Sequence, residues 1–265
     1  MDPSEILCGE AYRLACDVTY KPGMVLDRDG VSVFIKTDYA PDFLASGHGG
    51  KRCVMVTHES DYVVNDQMAS LMPPNVLRWF GVNIIANHPR CESIPLGIGS
   101  PWYEHGNAQA VADAPGKINA RRWGYARFAI DTNINERSLC HRVAANASWV
   151  TCQTYMSHTD KPLPFTEYLA ELSEHMFVLC PCGNGPDTHR IWETLYCGRI
   201  PIVLTHPALL PFWHYRILFL ECWQHLEICC VVANLMLMAK RALSMDGLKA
   251  SYWKKRFNQA KEQLA

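Results

Sequence analysis

Short apolar runs recur along this chain, and stretches with helical periodicity lie between several of them. VSVFI (31–35), CVMVT (53–57), VNIIAN (82–87), RFAID (127–131), FVLC (177–180) and IPIVL (200–204) have the length and β-branched content of buried strands. PFTEYLAELSEH (164–175) has the other period: Thr166 can cap its start, and Tyr168, Leu169 and Leu172 fall on one face. Strands alternating with helices predict an α/β fold built on parallel sheets. The run ADAPGKINARRWG (112–124) breaks the rhythm with proline, glycine and charge, which predicts a linker between domains spanning 1–124 and 125–245. The tail KASYWKKRFNQAKEQLA (249–265) has an amphipathic pattern, so residues 246–265 are expected to form a helix packed back on the body.

Composition narrows the partners. The 265 residues carry 25 basic and 26 acidic side chains, a net charge of −1, so no global basic field recruits nucleic acid or an anionic membrane. Any anion site must be local. Twelve cysteines are scattered through the chain, and MDPSEILCGEAYRL lacks the basic start and apolar core of a secretory leader. Reduced thiols and a cytoplasmic location are expected. The longest apolar run, LEICCVVANLMLMA (226–239), is interrupted by Glu227 and Asn234 and is too short to cross a bilayer, so no membrane span is expected.

The chemistry gathers in FVLCPCGNGPDTHRIWETLYCGRIPIVL (177–204), read as strand, glycine turn, helix and strand. Gly183 and Gly185 allow unusual backbone angles and close approach. A helix starting near Asp187 would aim free amides and a positive dipole end at the turn, which suits a phosphate. At about 100° per residue, Asp187, Arg190, Glu193 and Thr194 share one polar arc, while Ile191, Trp192 and Leu195 share an arc suited to packing. Arg190 can fork onto a phosphate and Glu193 can accept from sugar hydroxyls. A solvated helix face with internal ion pairs would show the same wheel.

The pattern Pro181-x-Gly183-x-Gly185-x-Asp187-x-x-Arg190-x-x-Glu193, followed by Gly198-x-Ile200-Pro201-Ile202, resembles the donor-site region of exostosin-like glycosyltransferases. CVMVTHESDYVVND (53–66), LRWFGVNIIANHPRCESIPLGIG (77–99) and AIDTNINERSLCHRV (129–143) resemble other segments of that family, the second as a tryptophan-containing helix leading to a strand. The resemblance runs from about residue 50 to residue 205. It implies the GT-B fold, two Rossmann-like domains facing a cleft with the nucleotide-sugar held mainly by the second. It implies inverting transfer from a UDP-sugar to a glycan hydroxyl, giving a β-linkage, with no cofactor. Small xylosyl-transferring members suggest UDP-xylose. Animal members carry a membrane anchor; this chain looks more like the compact, anchorless versions of microbes and large viruses.

On that resemblance, the nucleotide-sugar site comprises Arg137, Gly183, Gly185, Asp187, Thr188, Arg190 and Glu193. The base is sought in THESDY, with Asp61 first and Glu59 and His58 behind it. Trp102 and Tyr103 are candidates to stack on the acceptor. No metal is expected: Asp27 and Asp29 flank Arg28 in what reads as a hairpin turn, and Cys180, Cys182 and Cys197 lack zinc spacing. The competing expectation is a non-catalytic nucleotide- or sugar-binding protein on the same scaffold.

Overall fold

A computed structural model describes residues 1–114, 120–157, 159–160, 163–240 and 243–262. The chain divides into two compact units, one of Ser4–Leu96 with Asp246–Ala265, the other of Met1–Pro3 with Gly97–Met245.

The first unit holds helices α1 (Gly9–Ala15), α2 (Ala40–Asp42, running on into a π-helical turn) and α3 (Asp66–Ser70), with strands β1 (Val18–Thr19), β2 (Val31–Lys36), β3 (Cys53–His58), β4 (Val76–Gly81) and β5 (Cys91–Ser93). The strands form one parallel sheet in the order β1-β2-β3-β4-β5. Alternate residues face opposite layers. Val33, Ile35, Met55 and Trp79 pack with Phe43 and Leu44 on one side. Phe34, Val54, Val56 and Phe80 pack on the other, under Tyr12 of α1 and Trp253, Phe257 and Ala260 of the last helix, Ala250–Glu262 (α9). With both faces covered, β2 and β3 read as unbroken apolar runs. Gly81 is sterically closed to any larger residue, since a Cβ there would lie 2.4 Å from Thr57 Oγ1, which also accepts from Trp79 Nε1 at 2.8 Å.

The second unit contains α4 (Ala108–Asp113), β6 (Arg122–Ala126), α5 (Ile134–Asn146), β7 (Val150–Cys152), α6 (Phe165–Ser173), β8 (His175–Leu179), α7 (His189–Tyr196), β9 (Ile200–Leu204), β10 (Leu218–Leu220) and α8 (Ile228–Met238). Its parallel sheet has the order β10-β9-β8-β6-β7. From β6 the chain moves outward to β7, then crosses back to place β8 on the other side of β6. The order therefore reverses between β6 and β8. In open parallel sheets, the crevice beyond the carboxyl ends of the strands at such a reversal is where ligands bind.

Two parallel five-stranded sheets make this an α/β protein with two Rossmann-like units. Several local expectations shift. The strand expected at 82–87 lies one element earlier as β4, so the Trp79 segment is strand rather than helix, and the backbone turns at Asn83 with φ of 54°. Residues 82 and 84 are still buried, which is what their apolar pattern reported. RFAID likewise follows β6, and within it Ala129 makes a single bridge to Tyr155. Asp27–Asp29 do not close a hairpin, because β1 and β2 are parallel; Gly30, with φ of 75°, turns the chain into β2. Helix α6 starts at Phe165 after Pro164, with no cap from Thr166. The two units join in sequence at Leu96/Gly97, and α4 packs on α6 and α7. Residues 115–119 of the expected linker lie outside the described residues. All twelve cysteines are free thiols. Among the described residues, no helix is long and apolar enough to cross a membrane.

Candidate active site

The loops after β6 and β8 meet at the reversal point of the second sheet, and Arg137 ties them together. Its Nε donates to Cys182 O at 2.8 Å, and its Nη1 donates to Ala129 O at 2.7 Å and to Thr132 Oγ1 at 2.9 Å. Asn133 Nδ2 adds a bond to Gly183 O at 3.2 Å, and Glu136 Oε1 accepts from Cys182 N at 3.0 Å. Arg137 is thus a buried clasp that holds the glycine turn. Neither Gly183 nor Gly185 has positive φ, so the turn does not need glycine for its backbone angles. At Gly183 the reason is space: a Cβ would sit 3.0 Å from Arg137 Nη2 and 3.8 Å from Thr188 Cγ2.

Arg190, on the first turn of α7, converges on the same place. The guanidinium carbons of Arg137 and Arg190 stand 5.8 Å and 6.0 Å from the centre of the Phe128 ring. Burial, and next the like charge of Arg190, bring the pKa of Arg137 down to about 10. Arg190 Nε is buried with no hydrogen-bond partner among the described residues. Thr188 occupies the cap position of α7 but makes no capping bond, and its buried Oγ1 likewise has no partner there. A capping threonine ordinarily accepts from its own helix. Two repelling cations, an idle hydroxyl and the amino end of a helix lie together, and an anionic group would satisfy all of them.

The rest of the expected polar arc is spent inside the protein. Asp187 is buried and accepts from Trp192 Nε1 at 2.7 Å; Thr194 Oγ1 donates to Arg190 O at 2.6 Å. Glu193 is buried too, with the Tyr168 hydroxyl donating to its Oε2 at 3.0 Å. Burial pushes the pKa of Glu193 up to about 7, with Arg190 and the Tyr168 bond partly offsetting the shift. The helix begins at His189, two residues later than expected, and Gly198 ends it at φ of 69°. Trp192 packs edge-on against Phe212 and Tyr215.

Trp102 and Tyr103 are exposed, with ring centres 6.2 Å apart. Tyr103 stacks on His105 at 5.2 Å, and His105 lies 5.9 Å from His189, whose Nδ1 is 2.8 Å from Gly97 O. An aromatic ladder therefore runs from the surface to the first residue of α7. Neither histidine stands out in the sequence, nor do Phe128, Thr132, Asn133 and Glu136; their placement depends on which loops the crossover brings together. A hollow of about 570 Å³ elsewhere in this unit is lined by Arg142, Asn146, Trp149, Gln224 and Glu227 among others. None of the unpaired buried polar atoms among the described residues falls there.

In the first unit, His58, Glu59 and Asp61 follow β3. Asp61 is exposed, His58 is buried, and Glu59 is partly buried at φ of 58°. Asp27 and Asp29 are exposed, and Asp29 Oδ1 accepts from Arg52 N at 2.7 Å. Among the described residues, the side chains close enough together to share a cation are Glu227, Cys229 and Cys230, which are largely exposed.

No protein-family model matches the chain. It is similar to a plant protein of Arabidopsis thaliana, a probable glucuronoxylan glucuronosyltransferase. The two are 25% identical over 146 residues, covering 52% of this chain and 29% of the plant protein. This chain has a distant glycosyltransferase relative. It spans under a third of that relative's length, and the match supports a glycosyltransferase relationship without fixing donor, linkage or acceptor.

Proposed function

We propose that this protein is an inverting glycosyltransferase of the GT-B type that uses a UDP-sugar, with the donor diphosphate seated over the β6–β8 reversal. The observation that carries the reading is the convergence of Arg137 and Arg190 on Phe128 beside the unpaired Thr188 hydroxyl. As the sugar–phosphate bond breaks, charge accumulates on the leaving diphosphate, and preorganised cations and amides stabilise it. Arg190 would meet that charge directly. Arg137 would meet it through Nη2 while its other nitrogens hold the turn. Glu193 and Tyr168 would brace Arg190 from behind. Trp102 and Tyr103 would offer their faces to the acceptor glycan. The two arginines can do this charge compensation without a divalent cation, and UDP-xylose is the first donor to try.

A panel of nucleotide-sugars tested by thermal shift, followed by donor turnover with candidate glycans, checks the reading. UDP-sugars should raise the melting temperature in proportion to occupancy, and the right acceptor should release UDP. Stabilisation without any UDP release would instead describe a binding protein on this scaffold.

A further inference from the structure

The first turn of α8 gathers two thiols and a carboxylate on the outside of the second unit. Val231 and Met238, seven residues apart, are buried and seat the helix on the core with Trp223 and Leu226. At about 100° per residue, Cys229 falls on the side away from Val231, and Cys230 falls on the flank between them. Their surroundings agree: Cys229 is exposed and Cys230 half-buried. Glu227 holds the cap position with extended backbone (φ −91°, ψ 140°), and its carbonyl accepts from Val231 N at 3.0 Å. Its carboxylate caps no amide of the helix. It faces Cys229 instead, whose Sγ donates to Glu227 Oε2 at 3.7 Å. One ligand atom from each of Glu227, Cys229 and Cys230 lies within 4.8 Å of the other two.

Neighbouring thiols at a surface can join to each other or share a cation. Joining is disfavoured here. Successive Cα atoms stand about 3.8 Å apart, closer than the roughly 4.4–6.8 Å that a disulfide spans, so a Cys229–Cys230 bridge would have to distort the first turn of α8. Sharing a cation keeps the helix. Tetrahedral zinc holds sulfur at about 2.3 Å and carboxylate oxygen at about 2.0 Å, which sets sulfur–sulfur edges of about 3.8 Å and sulfur–oxygen edges of about 3.5 Å. The edge from Cys229 to Glu227 is already 3.7 Å, and the other two need close only from within 4.8 Å. Side chains at the surface can make that adjustment by small rotations. Two thiolates select soft cations such as zinc or cadmium over magnesium or calcium.

We propose that Glu227, Cys229 and Cys230 form a binding site for a soft divalent cation, zinc in the first instance, at the start of α8. Water completes the fourth position. The ion ties the cap residue to the first helical turn, so its binding stabilises the folded chain. None of the three residues belongs to the β6–β8 loops, and the ion takes no part in offsetting a diphosphate there.

The test uses the full chain, freed of metal with EDTA and desalted, then titrated with cobalt(II) and afterwards with zinc. Thiolate-to-cobalt charge-transfer absorption should saturate at one equivalent and disappear as zinc displaces the cobalt. Losing even an outer partner of a metal ligand costs about 10- to 100-fold in affinity, so Cys229→Ser and Cys230→Ser should each weaken zinc by at least about tenfold. Glu227→Gln should weaken it as well, while Cys222→Ser, outside the group, should bind as the parent does. Zinc should also slow alkylation of Cys229 and Cys230, read by peptide mass in the parent protein, and magnesium should not. That readout needs no substitution and decides the matter even where a variant folds poorly. A parent protein without the cobalt band, a band that survives in the Cys229→Ser/Cys230→Ser double variant, or zinc protection confined to other cysteines would overturn the site.

Discussion

Arg190→Met separates a ligand-binding arginine from a structural one. The substitution keeps the apolar stem and removes the charge. In the folded protein the lost group makes no hydrogen bond through Nε among the described residues, and its charge disfavours the nearby Arg137 cation. An unsatisfied buried donor costs about 1–3 kcal/mol. Relief of that cost should balance the loss of Arg190's partial compensation of Glu193, and the melting temperature should stay within about 4 °C of the parent. Binding should respond differently. Loss of one charged hydrogen bond to phosphate is worth about 1.5–3 kcal/mol, or roughly 10- to 100-fold in UDP affinity. Thermal unfolding and calorimetric titration with UDP read the two quantities on one sample. A clear drop in melting temperature with UDP affinity unchanged would show that Arg190 holds the fold and does not meet the ligand.

Arg137→Met should behave oppositely in the first assay: losing three hydrogen bonds and orphaning the Cys182 and Ala129 carbonyls should cost about 3–5 kcal/mol, seen as a lowered denaturation midpoint. Glu193 gives a pH signature. Its folded value of about 7 exceeds the ordinary 4.5, so its contribution is fully present below 4.5 and is lost as pH rises through 7; Glu193→Gln should flatten that part of a stability–pH curve. Trp253→Ala removes a buried ring packed on Tyr12, Phe80 and Phe257, and chemical denaturation should show a loss of about 3–5 kcal/mol. Sugar transfer should persist in EDTA, measured by UDP release; loss on chelation with recovery on adding manganese would count against charge compensation by arginine.

The central strands were legible because burial on both faces leaves continuous apolar runs: 31–35, 53–57 and 200–204 match β2, β3 and β9 closely. The same signal misplaced β4, since Val82 and Ile84 are as buried as strand residues although the chain turns between them at Asn83. Three-residue strands such as β5, β7 and β10 are too short to show a period. The strand–turn–helix–strand unit from 177 to 204 could be read from glycine and polarity, but the helical wheel could not tell a ligand-facing arc from one turned inward. Asp187 and Thr194 belong to the inward kind, because Trp192 Nε1 and the Arg190 carbonyl claim them. The clasp of Arg137 on Cys182 joins residues 45 positions apart and has no sequence period to announce it.

The most direct test of glycosyl transfer is a product measurement: purified protein incubated with each UDP-sugar and a set of glycan acceptors, with released UDP and glycan mass followed together. One pair should yield UDP and a glycan heavier by one sugar residue in equal amounts, and Arg190→Met should need a much higher donor concentration for the same rate. No glycan product from any pair, or a product formed equally well by Arg190→Met at low donor concentration, would contradict it.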